Sequence, residues 1–303
     1  MLSADVSAKS TRAYVLLALA VLFWAGNSVL GRAVRSEIPP IGLAFWRWTL
    51  ASLVIAPFSW RYFVRDLPVI KKHLPILLLL AFLGVGSFNT LLYSGLQYTQ
   101  ALNSVLLQTL LSAIVLVLSR VFFGVKIRAL QVLGVAIAFI GAAIIIFKGS
   151  LTTLLNFRLN PGDIIILLAV VLYAGYTVLL QKRPKIHPLS FVFATFILGA
   201  PMILPFYVFE SVTVRPVHLN SLTLLSFLYV AIFPSILSYL FYNRGVELVG
   251  ANQAGLIAYM SPVFGTVLAI VFLGESFKVF HAFGILLIFL GVFIATRIRP
   301  QRS

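Results

Sequence analysis

No cysteine occurs anywhere in the chain, which excludes a disulfide framework, a thiolate metal site and a cysteine nucleophile. Charge of either sign is scarce. Only 10% of the 303 residues are charged, against about 25% in a soluble globular domain, while 61% are hydrophobic. A surface so poor in charge must face something other than water. Acids are scarcer still, seven against 23 lysines and arginines. The resulting net charge of +16 does not point to nucleic acid, because the basic residues form short clusters between apolar runs and not an aromatic-lined stripe. Titratable groups are also missing from the middle of those runs. Asp5, Glu37, Asp66, Asp163, Glu210, Glu247 and Glu275 fall in loops or at run ends, as do His73, His187, His218 and His281. A proton relay of buried acids and histidines therefore has no obvious seat. No Ser-His-Asp or metal-ligand grouping stands out, so the reading is of a protein that is not an enzyme, with no cofactor and no metal. A membrane-embedded enzyme or lipid-processing protein is the alternative.

What the chain has in abundance is long apolar runs. A helix crossing a bilayer needs about 20 mostly apolar residues. Charge-free runs of that order are Ala13–Gly31, Leu74–Gln97, Thr99–Ser119, Ala129–Phe147, Ile164–Gln181, Pro188–Phe209, Leu219–Asn243, Leu248–Gly274 and Val279–Thr296. Ile38–Trp60, interrupted only by Arg47, makes ten. The first run lacks a small-residue cleavage site and reads as a retained helix. The expected fold class is an all-α membrane protein of ten transmembrane helices. Sixteen basic residues lie on the side of the N-terminus and six on the other, with Arg47 in neither group. Loops rich in lysine and arginine stay in the cytoplasm, which places both termini there and the chain in the cell's inner (plasma) membrane.

Shifted by about 149 positions, the chain matches itself. Ala20-Val21-Leu22-Phe23-Trp24-Ala25-Gly26 falls on Ala169-Val170-Val171-Leu172-Tyr173-Ala174-Gly175, Pro57-Phe58 on Pro205-Phe206, and Tyr93 on Tyr242. Five helices per half is an odd number, so the second half enters from the opposite face and the repeats are inverted. The expected organisation is a tail over 1–11, a first repeat over 12–148 (helices 1–5), a loop over 149–160, a second repeat over 161–297 (helices 6–10) and a tail over 298–303.

The stretches "LFWAGNSVLGRA" (Leu22–Ala33), "PPIGLAFWRW" (Pro39–Trp48), "GANQAGLIAYMSPVFGTVLAIVFLGE" (Gly250–Glu275) and "GILLIFLGVFI" (Gly284–Ile294) resemble the ten-helix EamA-type members of the drug/metabolite transporter superfamily. The resemblance runs over both halves, from about Arg12 to Arg297. It implies a secondary carrier, usually an exporter of metabolites or amino acids, with a central cavity lined mainly by helices 1, 3, 4, 6, 8 and 9. The first half departs from the pattern: Ser112-Ala113 and Gly124-Val125 stand where the second half has Ser261-Pro262 and Gly274-Glu275.

The polar groups inside the runs are aromatics and amides. Candidate substrate-binding residues are Trp24, Asn27, Arg47, Asn89, Tyr93, Gln108, Tyr173, Tyr176, Tyr239, Asn243 and Tyr259. Each can instead serve helix packing or an interhelical hydrogen bond. Asn103 and Asn252, just after tight hairpins, read as helix N-caps. Gly134 and Gly141 in helix 5, like Gly284 and Gly291 in helix 10, share one face and suit close packing or a homodimer through helices 5 and 10. Pro57 and Pro205 mark expected kinks. The expected partners are a small-molecule substrate and the lipid bilayer, with no nucleic acid.

One stretch, Ala44-Phe45-Trp46-Arg47-Trp48-Thr49-Leu50, holds the lone arginine between two tryptophans. Entering from Pro39-Pro40, Arg47 lies roughly 10 Å deep at 1.5 Å per residue. That depth favours a guanidinium snorkelling to the outer surface. The competing reading is an anchor for a substrate carboxylate or a gate. In the repeat Arg47 falls on Thr195, so the charge belongs to one half only.

Overall fold

The computed structural model describes residues 2–34, 36–99, 101–156, 160–273 and 276–296. Among them there is no strand, and helices follow one another with short turns. We number the long ones α1 (Leu2–Ala33), α2 (Pro40–Lys72), α3 (Leu74–Gly95), α4 (Ala101–Thr109 and Leu111–Phe123), α5 (Ala129–Ile146) and α6 (Pro161–Lys182). The series continues with α7 (Pro188–Thr213), α8 (Ser221–Val249), α9 (Ala251–Leu256, Ile257–Tyr259 and Met260–Leu273) and α10 (Val279–Thr296). Nine helices among the described residues are long and apolar enough to cross a membrane; the α9 stretch is built from three consecutive pieces. Large apolar side chains such as Leu53, Phe58, Leu130, Ile140, Leu225, Phe283 and Phe293 stand exposed. An apolar exterior this extensive fits hydrocarbon surroundings.

The helices pair as two related halves would. α1 packs on α8 and α9, as α6 packs on α3 and α4; α2 pairs with α7 and α5 with α10. A local detail sets the register. α3 and α8 each carry one π-helical turn, Phe82–Ser87 and Ile232–Leu237, 150 positions apart. Gly95 makes room for Ile166 and Gly245 for Leu17, which is the same contact in the two halves. In α3 and α8 the correspondence is therefore Tyr93 with Asn243, and not with Tyr242.

Two acids act as reciprocal staples. Glu210, near the end of α7, accepts the Ile41 and Gly42 backbone N–H groups at 3.1 and 2.7 Å. Asp66, late in α2, accepts the His187 N–H at the start of α7 at 2.8 Å. Each helix thus satisfies donors that its partner's N-terminus leaves unpaired and places a negative charge at the positive end of its dipole. The glycines are used inside the chain. A Cβ at Gly134 would sit 2.5 Å from the Gly291 carbonyl oxygen, and one at Gly141 would sit 2.7 Å from that of Gly284. The shared glycine face joins α5 to α10, so a homodimer through these helices would have to use their opposite, lipid-facing sides.

Several expectations are corrected here. The second helix does not stop at Trp60 but continues to Lys72, with Pro57 and Pro68 inside it. Asn252 is not a cap, since Gly250 occupies that position with φ 85° and Asn252 sits inside the first turn with its Oδ1 unbonded. The side chain of Asn103 lies outside the described residues, as does Glu275.

Candidate substrate cavity

The snorkelling expectation for Arg47 is overturned. Its side chain is 1% exposed and points into the bundle. The cause is the supply of acceptors there. Pro234 has no N–H, so the Val230 carbonyl in α8 loses its helical donor. The Ser235 hydroxyl fills in, donating to Val230 O at 2.7 Å, and its oxygen accepts from Arg47 Nε at 2.6 Å. Arg47 Nη2 donates to the Pro234 carbonyl at 2.8 Å, which also accepts from Trp24 Nε1 at 3.0 Å. Nη1 donates to Asn89 Oδ1 at 3.1 Å and to Asn27 Oδ1 and the Tyr93 hydroxyl, both at 3.3 Å. Tyr93 in turn donates to Asn27 Oδ1 at 3.1 Å. The guanidinium lies 4.7 Å from the centre of the Trp48 ring, which is itself packed on Phe196 and Tyr239.

Every partner of this cation is neutral. Burying an ion costs several kcal/mol even after relaxation, and hydrogen bonds to a charged group return about 1.5–3 kcal/mol each. No carboxylate among the described residues reaches it. Asp66 and Glu210 are the staples above, Glu37 is exposed, and Glu247 pairs with Arg183 at 2.7 Å and Arg244 at 2.8 Å. Asp163 caps α6 through the Asn160 N–H at 2.8 Å.

Beside Arg47 lies a cavity with about 70 Å³ open to the centre of a water molecule. Of the candidate residues, Trp24, Asn27, Arg47, Asn89, Gln108, Tyr173 and Tyr239 line it. The apolar walls Val21, Phe88, Leu92, Val105, Leu111, Val170 and Ala258, together with Thr109 and Ser261, come from α1, α3, α4, α6 and α9. Sequence reasoning did not single these out. The repeat match of Ser112 with Ser261 was the one signal that could have found Ser261. Trp24 and Tyr173, equivalent in the repeat, meet edge to face with centroids 5.7 Å apart. Tyr93 touches the site through Arg47 without lining the cavity.

The remaining candidates lie elsewhere. Tyr176 and Asn243 are joined by a 2.8 Å hydrogen bond in the second half, the counterpart of Tyr93 with Asn27 in the first, with amide and phenol exchanged. Close by, the Tyr242 and Thr177 hydroxyls are 3.0 Å apart, and the Tyr239 hydroxyl donates to the Gly84 carbonyl. Gly84 and Pro234 occupy matching places in the two π-turns, so each half lends one carbonyl to a side chain of the other. Tyr259 is fully buried among Ala138, Val263 and Ile288 and serves packing. Gln253 accepts from Tyr14 at 3.0 Å. No cluster of three metal-ligating side chains occurs among the described residues.

Comparison with known proteins fits this geometry. The EamA-like transporter family matches the chain twice, over residues 11–147 and 160–297. The chain belongs to the EamA-like transporter family. A Bacillus subtilis protein named uncharacterized transporter YyaM is 29% identical over 95% of this chain and 94% of its own length. An uncharacterized transporter of Archaeoglobus fulgidus is 28% identical over 96% of this chain and 100% of its own length. A solved crystal structure superposes with a TM-score of 0.78 at 18% identity, covering 94% of this chain and 96% of that one, which supports the fold. The EamA-like chain is thus a multi-pass membrane protein whose relatives are named transporters.

Proposed function

We propose that the chain is a secondary transporter of the inner membrane that exports a small metabolite or amino acid by alternating access of its two halves. The observation that carries this reading is the cavity itself, which residues of both repeats line. Its residues on α3 come late in that helix and those on α4 come early, so it lies toward the end of the molecule remote from the termini. On the terminal side the Tyr176–Asn243 and Thr177–Tyr242 contacts close the bundle, and farther out Glu247 holds Arg183 and Arg244. Both termini are cytoplasmic by their cluster of basic residues, so the cavity lies nearer the outer face.

Inverted repeats reach the opposite state when each half takes up the packing of the other. In that state the two halves exchange packing around the equivalent Tyr93–Asn27 and Tyr176–Asn243 pairs, both of which are hydrogen-bonded here. Trp24, Asn27, Asn89, Gln108, Tyr173 and Tyr239 hold substrate. The test is efflux from proteoliposomes loaded with a metabolite panel, with and without a proton gradient. Substrate-specific flux that persists without the gradient is expected; absence of flux for every compound refutes the reading.

A further inference from the structure

We propose that the cavity is built for an organic anion of single negative charge, a carboxylate carrying an apolar body, whose head docks on Arg47. This rests on the cavity being the substrate site. Arg47 has five N–H donors and no acceptor. Nε, Nη1 and one N–H of Nη2 are engaged by the neutral groups named above; the second Nη2 donor has no partner among the described residues. The arginine also dictates the amides around it. Asn27 and Asn89 must turn their oxygens to the guanidinium, as their 3.3 and 3.1 Å contacts show. Their amide nitrogens are left over, and both residues line the cavity. The polar groups that remain unused on Arg47 and its two amide partners are therefore all donors, set beside a full positive charge. That combination suits a carboxylate oxygen.

The same inventory disfavours other heads. No carboxylate among the described residues lines the cavity, so the ammonium of an amine or of a free amino acid would meet no counter-charge. A phosphate with two charges would meet only one cation. Apart from Gln108, Thr109 and Ser261, the rest of the lining is apolar or aromatic, with Phe88, Leu92, Val105 and Leu111 among its walls, which fits a hydrocarbon body. Among the described residues Thr195, the counterpart of Arg47 in the other half, bonds to the Val192 carbonyl of its own helix alone. The anion site is thus single, and it moves with one half.

The experiment uses the full-length protein purified in detergent and three acids of increasing size, acetate, isovalerate and phenylacetate. Each is set against its own amide and amine, with phenylalanine and phenyl phosphate added. Affinity is read from the shift in thermal unfolding followed by tryptophan fluorescence. At least one acid is expected to bind about tenfold or more tighter than its amide, the difference one charge-assisted hydrogen bond makes. The amine, the zwitterion and phenyl phosphate should all bind more weakly than that acid. Arg47→Gln should bring acid and amide level, and Arg47→Lys should keep the acid ahead. Should the glutamine variant fail to fold, the wild-type acid and amide series still decides. Equal binding of acid and amide, a preferred amine or zwitterion, tighter phenyl phosphate, or no binding of any acid overturns the proposal. Acid binding without flux in proteoliposomes would refute the transport reading alone, and flux of amines would refute the anion assignment alone.

Discussion

Replacing Gly291 by alanine tests how the two halves are held together. The new Cβ would lie 2.5 Å from both the Ala138 nitrogen and the Gly134 carbonyl oxygen. Both are backbone atoms on α5 and cannot rotate away, so α10 must move off by roughly 1 Å to restore ordinary contact distances. In a bilayer there is little hydrophobic drive to hold the separated helices, and a gap of that size forfeits a quarter to a half of the dispersion energy of the atoms facing it. Overpacking of this kind costs about 1–3 kcal/mol. Gly265 in α9 is the control: a Cβ there meets nothing within 4 Å. Gly265→Ala should be neutral or stabilise by about 0.5–1 kcal/mol through reduced backbone freedom. The two variants should differ by roughly 1–4 kcal/mol in equilibrium unfolding in mixed micelles. Substrate affinity should change in neither, because both glycines lie away from the cavity lining. Equal stability of the two variants would refute the account of the α5–α10 interface.

Other outcomes follow from named contacts. Glu210→Ala strips the Ile41 and Gly42 N–H groups of their acceptor and should cost about 1–3 kcal/mol in the same unfolding measurement; Glu210→Gln should recover part of it. Glu247→Gln should cost under about 1 kcal/mol, since the carboxylate is 42% exposed, but should speed labelling of the terminal side by loosening Arg183 and Arg244. His187 stacks on Tyr62 with centroids 3.7 Å apart, and burial followed by the Arg65 charge holds its pKa below the usual 6.5. A histidine that binds protons less readily when folded makes stability fall as pH drops below 6.5. The His187→Gln variant should show a shallower fall between neutral and mildly acidic pH in thermal unfolding.

Much of this architecture is legible in the residues, and the reasons for the rest are physical. The apolar runs locate nearly every helix because hydrocarbon allows no other way to satisfy the backbone. The extra turns of α2 past Trp60 escape notice because they carry Arg61, Arg65, Lys71 and Lys72, which look like loop charges when only hydropathy is read. The π-turns are invisible too: Pro234 announces a fault in α8, but Gly84 gives no matching sign in α3. Seven of the eleven candidate residues line the cavity because aromatics and amides deep in a span have few other uses. Tyr259 shares that chemistry and is packed away, a difference made by helix rotation alone. Depth alone is a poor guide to Arg47. Snorkelling assumes that water is the nearest source of acceptors, whereas Ser235, Pro234, Asn89, Asn27 and Tyr93 converge on it from helices distant in sequence.

The central claim is that the cavity between the halves is the path of a solute across the membrane. The absence of native cysteine makes a direct probe available. Ser261 lines the cavity, and Ser261→Cys changes one atom. In proteoliposomes of known orientation, a membrane-impermeant thiol reagent should reach this cysteine from the side remote from the termini. The reaction should slow when transported solute is present, and flux should stop once the cysteine is modified. Full modification with undiminished flux would contradict the account.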